Sequence, residues 1–84
     1  YDPKTKTLYW GVGNGSPWFG DQRPGDNLYV ASVLAMNPDT GAIKSHFQYH
    51  WNDSWDWAGM NAPTHIELDR GGKKVPAMIS AQRN

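Results

Sequence analysis

The sequence predicts an all-β fold, assembled from short strands that are joined by turns and irregular loops. The 84 residues include five Trp, four Tyr and nine Gly, and the mean hydropathy is −0.74. Aromatic and β-branched residues favour strands, whereas glycine interrupts regular structure. Long aliphatic runs are few. This composition is typical of a chain with many short strands and turn signals between them.

The first predicted strand covers residues 7–12 (TLYWGV), which are rich in β-formers and follow the turn-forming residues 2–5 (DPKT). Asn14 comes just after the carboxyl end of this strand, in a glycine-rich bend where the backbone can approach a ligand closely. Residues 15–27 contain three glycines and two prolines, which suit neither a helix nor a sheet ladder. We therefore predict a long loop there, and long ordered loops are often functional.

Two hairpins are predicted in the rest of the chain. The first pairs residues 28–36 with residues 42–49 through a turn at 37–41 (NPDTG), whose glycine can take a positive φ. The second pairs residues 64–68 with residues 75–81 through a turn at 69–73 (DRGGK), which contains two glycines. Hairpins repeated at short spacing are typical of a β-propeller or a β-sandwich. A chain of this length would hold roughly one propeller blade and parts of others.

Residues 52–59 (NDSWDWAG) place two carboxylates between indole side chains. Burial beside aromatic rings disfavours an ionised carboxylate, so such a cluster predicts a base or a metal ligand at Asp53 or Asp56. The Asn14 amide is a second hard oxygen donor, but calcium normally takes about six to eight oxygens. The residues alone also allow a simpler interpretation, in which all three side chains only form turns.

Charge and composition argue against several classes of partner. Eight basic residues balance eight acidic ones, so the chain has no electrostatic surface suited to nucleic acid or to an anionic membrane. No apolar stretch approaches the length of a membrane span. A zinc site at His46 and His50 is not expected, because no cysteine or further histidine lies near them. The tryptophans suit a core or interface better than a sugar-binding surface.

The two ends of the sequence lack the polar tapering of many natural termini. The chain starts at Tyr1 and ends at Asn84, shortly after an apolar run that resembles a strand. We therefore expect it to be an internal segment of a longer protein.

Four motifs, taken in order, resemble the middle of the quinoprotein alcohol dehydrogenases of the methanol and ethanol type. They are GNGSPW (residues 13–18), RPGDNLY (23–29), NPDTG (37–41) and NDSWDWAG (52–59), and the resemblance covers nearly the whole chain. It implies that residues 1–84 belong to a single domain, an eight-bladed β-propeller that binds pyrroloquinoline quinone (PQQ) and a metal ion. The chain would then be a segment of about one to two blades.

The same resemblance implies an activity and its surroundings. Members of the family oxidise primary alcohols to aldehydes, use PQQ with calcium in most cases, and pass electrons to a cytochrome c-type acceptor in the periplasm. A small alcohol is thus the expected substrate. The alternative is a propeller scaffold without catalysis that binds proteins or glycans.

The resemblance also assigns individual residues. It makes Asn14 a metal ligand through its side-chain oxygen, makes Asp56 both the base and a metal ligand, and places Arg83 on the quinone carbonyl oxygens. Asp53 matches a family position that is not the base. In the lanthanide-using branch an aspartate lies two residues after the base, but here Ala58 stands there. The resemblance therefore predicts calcium rather than a lanthanide.

Two positions depart from the family pattern, and part of the site lies outside this chain. Ser45 stands where the family commonly has the tryptophan of its blade-docking repeat, and Trp51 stands where proline is common. The other metal ligands of the family, its stacking tryptophan and its paired cysteines have no counterpart here. A scaffold would have no reason to keep Asn14, Asp56 and Arg83 together, so their presence favours the enzyme.

Overall fold

The computed structural model describes residues 1–56 and 61–82, which form two antiparallel sheets and one short 3-10 helix. No described residue lies in a helix that is long and apolar enough to cross a lipid bilayer. The elements in chain order are β1 (Leu8–Val12), the 3-10 helix (Gly20–Gln22), β2 (Ser32–Met36), β3 (Ile43–Gln48), β4 (Thr64–Arg70) and β5 (Lys73–Ile79).

The first sheet has the strand order β1-β2-β3, with β2 antiparallel to both neighbours. Because β1 and β3 are both antiparallel to β2, they run in the same direction. Their carboxyl ends therefore lie at the same end of the sheet. Backbone hydrogen bonds continue the pairing beyond the strands. Ala31 N–H donates to the Gly13 carbonyl at 2.8 Å, and Tyr49 N–H donates to the Ala31 carbonyl at 2.7 Å. The residues that follow β1 and β3 therefore flank Ala31 and leave the sheet at the same end.

The predicted turns are confirmed. Gly41 takes a positive φ of 76° between β2 and β3, where a residue with a Cβ would be strained. The second hairpin turns through Gly71 and Gly72 alone, with φ values of 60° and 82°. Because this turn is so tight, the pairing of β4 with β5 reaches Arg70 opposite Lys73, so the strands extend further toward the turn than predicted.

The predicted strand at residues 28–36 is only partly correct, because β2 begins at Ser32. The preceding residues form turns, with left-handed backbone at Asn27 (φ 59°) and Ala31 (φ 50°), and Val30 N–H donates to the Asn27 carbonyl at 2.8 Å. The apolar character of this segment does not distinguish a strand from a turn, and Leu28 and Tyr29 are exposed. At the other end of the chain, β5 stops at Ile79, earlier than the predicted residue 81.

Buried apolar side chains in the described residues are concentrated on β2 and just before it, at Ala31, Val33, Leu34 and Ala35. These side chains are mostly small, so the burial achieved within the chain is modest. One face of the first sheet remains open as a shallow apolar groove. Its lining residues are Leu8, Trp10, Val12, Leu34 and Met36. Trp10 is 58% exposed there.

The second sheet meets the first through side chains. The Tyr9 ring packs edge-on against the His65 ring, with their centroids 5.2 Å apart. Lys4 Nζ lies 4.0 Å from Glu67 Oε1, but both side chains are well exposed, and such ion pairs contribute little. Of these two contacts, the aromatic one therefore contributes more.

Expressed alone, these 84 residues should aggregate and should show no cooperative thermal transition. The open apolar groove and the unpaired strand edges favour association between chains, and the small core cannot offset the entropy of folding. Size-exclusion chromatography followed by differential scanning calorimetry tests this. A monomeric peak with a sharp melt would contradict it.

Candidate active site

Two polar residues from distant parts of the chain meet at the shared end of β1 and β3. Asn14 lies two residues after β1, and Asp56 lies in the segment that follows β3. The Asn14 side-chain Nδ2 donates a hydrogen bond to Asp56 Oδ1, across a sequence separation of 42 residues. Both side chains are half-buried. Of the three predicted site residues Asn14, Asp56 and Arg83, the structure therefore brings the first two together.

The segment that carries Asp56 is an irregular loop. Its backbone takes the left-handed conformation at Asn52 (φ 43°) and at Asp56 (φ 59°). Asn and Asp tolerate this conformation better than most residues because their short polar side chains can hydrogen-bond locally.

Asp53 is the most deeply buried carboxylate among the described residues, with 1% exposure. Its Oδ1 accepts a hydrogen bond from the Trp55 backbone N–H at 2.8 Å, the geometry of an Asx turn. The residues alone left open whether Asp53 or Asp56 has the chemical role, and the family resemblance assigned that role to Asp56. Asp53 stabilises the loop, whereas Asp56 meets Asn14.

The indoles of this segment are more exposed than the sequence suggested. Trp51 and Trp55 are 67% and 61% exposed, so they do not enclose the carboxylates. Both contact His50, whose ring stacks on Trp51 at 5.3 Å and meets Trp55 edge-on at 5.8 Å. The expectation of carboxylates wedged between indoles is therefore wrong for Trp51 and Trp55, and Trp57 lies outside the described residues.

The long loop between β1 and β2 packs directly on this segment. Gly20 N–H donates to Ser54 Oγ at 3.0 Å, and Asn52 Nδ2 donates to the Gly20 carbonyl at 3.4 Å. A Cβ at position 20 would lie 2.6 Å from Ser54 Oγ and 2.8 Å from Asn52 Oδ1. Only glycine fits this contact without a shift of its neighbours.

Arg23 also joins the two segments, although no site role was predicted for it. Its guanidinium donates to the carbonyl of Pro17, to the carbonyl of Asp53 at 2.8 Å and to the side chain of Asn27. The arginine stands in the RPGDNLY motif, which contributed to the family resemblance. One of its hydrogen-bond partners, Asp53, is 30 residues away in sequence.

The site has the donor chemistry of a hard-cation site but only part of a ligand set. Among the described residues no group of three or more His, Cys, Asp or Glu side chains is arranged to hold a metal ion. Asn14 and Asp56 offer an amide and a carboxylate, the oxygen donors that calcium prefers. His46, which was not expected to bind zinc, packs edge-on against the Tyr29 ring, with the ring centroids 5.0 Å apart. The two donors thus suit a hard cation such as calcium but would not complete its coordination.

Two residues of the predicted site lie outside the described residues. They are Arg83, assigned to the quinone, and Ala58, assigned to metal choice. Their roles stay predictions.

Comparison with known proteins places the chain in a family. Residues 1–84 all match the model of the PQQ family described as "Glucose/ethanol/alcohol dehydrogenase, beta-propeller domain". The chain belongs to this PQQ dehydrogenase family. The predictions of an all-β propeller segment and of a quinoprotein alcohol dehydrogenase relationship are therefore confirmed.

Individual relatives of this PQQ dehydrogenase chain agree with the family match. It is 49% identical over 84 residues to quinoprotein alcohol dehydrogenase PedH of Pseudomonas putida, covering 14% of that protein. It is 38% identical over 85 residues to methanol dehydrogenase [cytochrome c] subunit 1 of Methylobacterium organophilum, again covering 14%. Both alignments include the whole of this chain.

A solved structure gives the same result. The whole chain superposes on a europium-containing methanol dehydrogenase with a TM-score of 0.93 at 36% sequence identity, and it covers 15% of that structure. The chain thus spans about one seventh of the length of the proteins that it resembles.

Replacement of Asp53 by Ala should loosen the loop that carries Asp56. A hydrogen bond to a charged group contributes about 1.5–3 kcal/mol, so amide exchange at Trp55 should accelerate roughly tenfold or more. Hydrogen–deuterium exchange of the peptide covering residues 49–56, in the full-length protein, measures this. Asp69→Ala, at an exposed position on β4, is the matched control. Equal exchange in both variants would show that Asp53 does not hold the loop.

Proposed function

We propose that this chain carries part of the active site of a PQQ-dependent dehydrogenase that oxidises small primary alcohols to aldehydes. In this proposal Asp56 is the catalytic base and a metal ligand, and Asn14 is a metal ligand. The observation that carries the proposal is the contact between the Asn14 amide and the Asp56 carboxylate, in a chain of this family. A propeller scaffold without catalysis gives no reason for the two groups to meet.

The Asp56 carboxylate would accept the hydroxyl proton of the alcohol. A base must lie within hydrogen-bond reach of that proton and be held in a productive orientation. Donation from Asn14 Nδ2 to Asp56 Oδ1 provides the orientation. When bound, PQQ supplies the hydride acceptor and the metal supplies Lewis-acid polarisation. The chain itself therefore contributes proton transfer and positioning.

Asn14 can serve the base and a metal together. A side-chain amide has donors on its nitrogen and acceptor lone pairs on its oxygen. Nδ2 of Asn14 is used by the hydrogen bond to Asp56. The side-chain oxygen of the same amide is the atom that would bind a cation. A hard divalent ion would then have one neutral and one charged ligand from this chain. This arrangement supports the proposed pairing of Asn14 and Asp56 at one metal.

Calcium is the metal that we propose. Ala58 brings no carboxylate to the position two residues after the base, so the chain supplies one negative charge less for a trivalent ion. The solved europium-containing methanol dehydrogenase is 36% identical to this chain, so metal choice must rest on individual residues rather than on overall similarity.

The remaining parts of the proposal rest on family membership. Arg83 would contact the quinone carbonyl oxygens through its permanently charged guanidinium. Residues 1–84 would form part of a single PQQ-binding propeller domain, in agreement with the extent of the family match. A cytochrome c-type protein in the periplasm would take the electrons, and cytochrome c appears in the name of the Methylobacterium organophilum relative.

Asp56→Asn in the full-length protein should abolish alcohol oxidation while PQQ stays bound. The amide can still offer an oxygen to the metal but cannot accept a proton, and loss of a general base lowers the rate by about 10²–10⁴. Steady-state kinetics with ethanol and the absorbance of bound PQQ measure the two effects. Asp39→Asn, in the exposed turn after β2, is the matched control. More than half of the original turnover in Asp56→Asn would remove Asp56 from the mechanism.

Calcium should reactivate the chelated full-length protein better than lanthanum does. Ala58→Asp should move this preference toward lanthanum, because it adds a charged hard ligand beside the metal. Activity after chelation and titration with each ion tests both statements. Equal activation of the unmodified protein by the two ions would contradict the role of position 58.

A further inference from the structure

We propose that Arg23 is a positioning residue whose guanidinium sets the separation between Asn14 and Asp56. The proposal builds on the function proposed above, but it concerns a residue that has no role in that function. It follows from the contacts of one side chain with both loops of the site.

The guanidinium bridges the two segments, and its contact in each segment lies three residues along the sequence from a site residue. Nε donates to the carbonyl of Pro17, which is three residues after Asn14, and Nη2 donates to the carbonyl of Asp53 at 2.8 Å. Asp53 is three residues before Asp56. Both acceptors are backbone atoms, so the bridge constrains the two chain segments themselves rather than flexible side chains.

Asn27 holds the guanidinium in this orientation. Nη1 of Arg23 donates to Asn27 Oδ1, and Asn27 Nδ2 donates in return to the Arg23 carbonyl at 2.9 Å and to the Pro24 carbonyl at 3.2 Å. The side chain and the backbone of Arg23 are thus held by the same residue. A side chain held by these hydrogen bonds keeps its orientation when a ligand binds to either loop.

Gly15 permits the close approach of the guanidinium to the residue after Asn14. A Cβ at position 15 would lie 3.0 Å from Nη1 of Arg23 and 3.3 Å from its Cζ. The charged group therefore lies directly against the backbone beside the proposed metal ligand. Gly15→Ala would push the guanidinium by a few tenths of an ångström without removing it.

The contact pattern requires arginine. A guanidinium is a planar group with five N–H donors in a fixed fork, so it can reach three acceptors in different directions. Lysine has a single ammonium on a flexible stem and cannot reproduce the same three contacts. Arg23→Lys therefore keeps the charge but removes the bridge.

Other contacts keep the loops folded when this bridge is lost. Gly20 N–H donates to Ser54 Oγ at 3.0 Å, and Asn52 N–H donates to the Asp26 carbonyl at 3.2 Å. Loss of the Arg23 bridge should consequently change the distance between the site residues more than it changes overall stability. This difference separates a positioning role from a purely structural one.

The test uses the full-length protein with Arg23→Lys and Arg23→Gln, and with Arg70→Lys, at an exposed position on β4, as the control. Calcium affinity is measured by isothermal titration after chelation, and kcat is measured with ethanol. Removal of groups that orient metal ligands typically costs about 10–100-fold in affinity or activity, so both Arg23 variants should lose calcium affinity by that factor. Arg70→Lys should change neither quantity, and Gly15→Ala should give an intermediate loss.

A double-mutant cycle with Asp56→Ala, which removes the metal-binding oxygen at position 56, identifies the role. If Arg23 acts through Asp56, Arg23→Lys should change calcium affinity by less than roughly threefold in the Asp56→Ala background, because coupled residues are not additive. Equal losses in both backgrounds overturn the proposal. A lower melting temperature with unchanged calcium affinity in Arg23→Lys also overturns it.

One further measurement separates this proposal from the proposed function. Hydrogen–deuterium exchange of residues 49–56 reports on loop position whether or not the protein oxidises alcohols. Faster exchange in Arg23→Lys but not in Arg70→Lys supports the bridge, even if Asp56→Asn retains activity and the catalytic assignment fails. Unchanged exchange in Arg23→Lys overturns the bridge, even if the catalytic assignment holds.

Discussion

The candidate site depends on one constraint of sheet geometry, namely that β1 and β3 flank β2 and therefore run parallel to each other. Their carboxyl ends lie at one edge, and the hydrogen bonds of Ala31 with Gly13 and Tyr49 continue the sheet beyond the strands. Asn14 and the loop of Asp56 emerge there together. Without this pairing, two residues 42 positions apart in sequence would have no reason to meet. The loops add precision, but the sheet determines the meeting point.

Local sequence signals predicted most of the fold because turns and strands have local causes. Glycine at positions 41, 71 and 72 marked turns that require positive φ, and the β-forming run before Gly13 marked β1. The start of β2 could not be predicted in the same way. Residues 28–31 have the apolar character of a strand, but left-handed backbone at Ala31 and the contacts of Asn27 place them in turns. The pattern of apolar residues reports neither the backbone angle at Ala31 nor the polar contacts of Asn27.

The site was predictable in part. Residue type and family resemblance identified Asn14 and Asp56, and the structure brings them together. The same reasoning could not assign burial, because burial depends on packing in three dimensions. Asp53 is almost fully enclosed, whereas Trp51 and Trp55 are mostly exposed. Arg23 was also missed as a site residue, since nothing local distinguishes a bridging arginine from a solvated one.

The contact of Gly20 with the Asp56 loop limits how this region can change during evolution. A side chain at position 20 would collide with Ser54 and Asn52, which lie more than thirty positions further along the sequence. A larger residue at position 20 needs the Ser54 and Asn52 side chains to move, even though Gly20 takes no part in the Asn14 contact. Substitution at this point is therefore coupled to side chains of the loop that carries Asp56. The demands of the site thus extend to a residue whose contribution is the absence of a side chain.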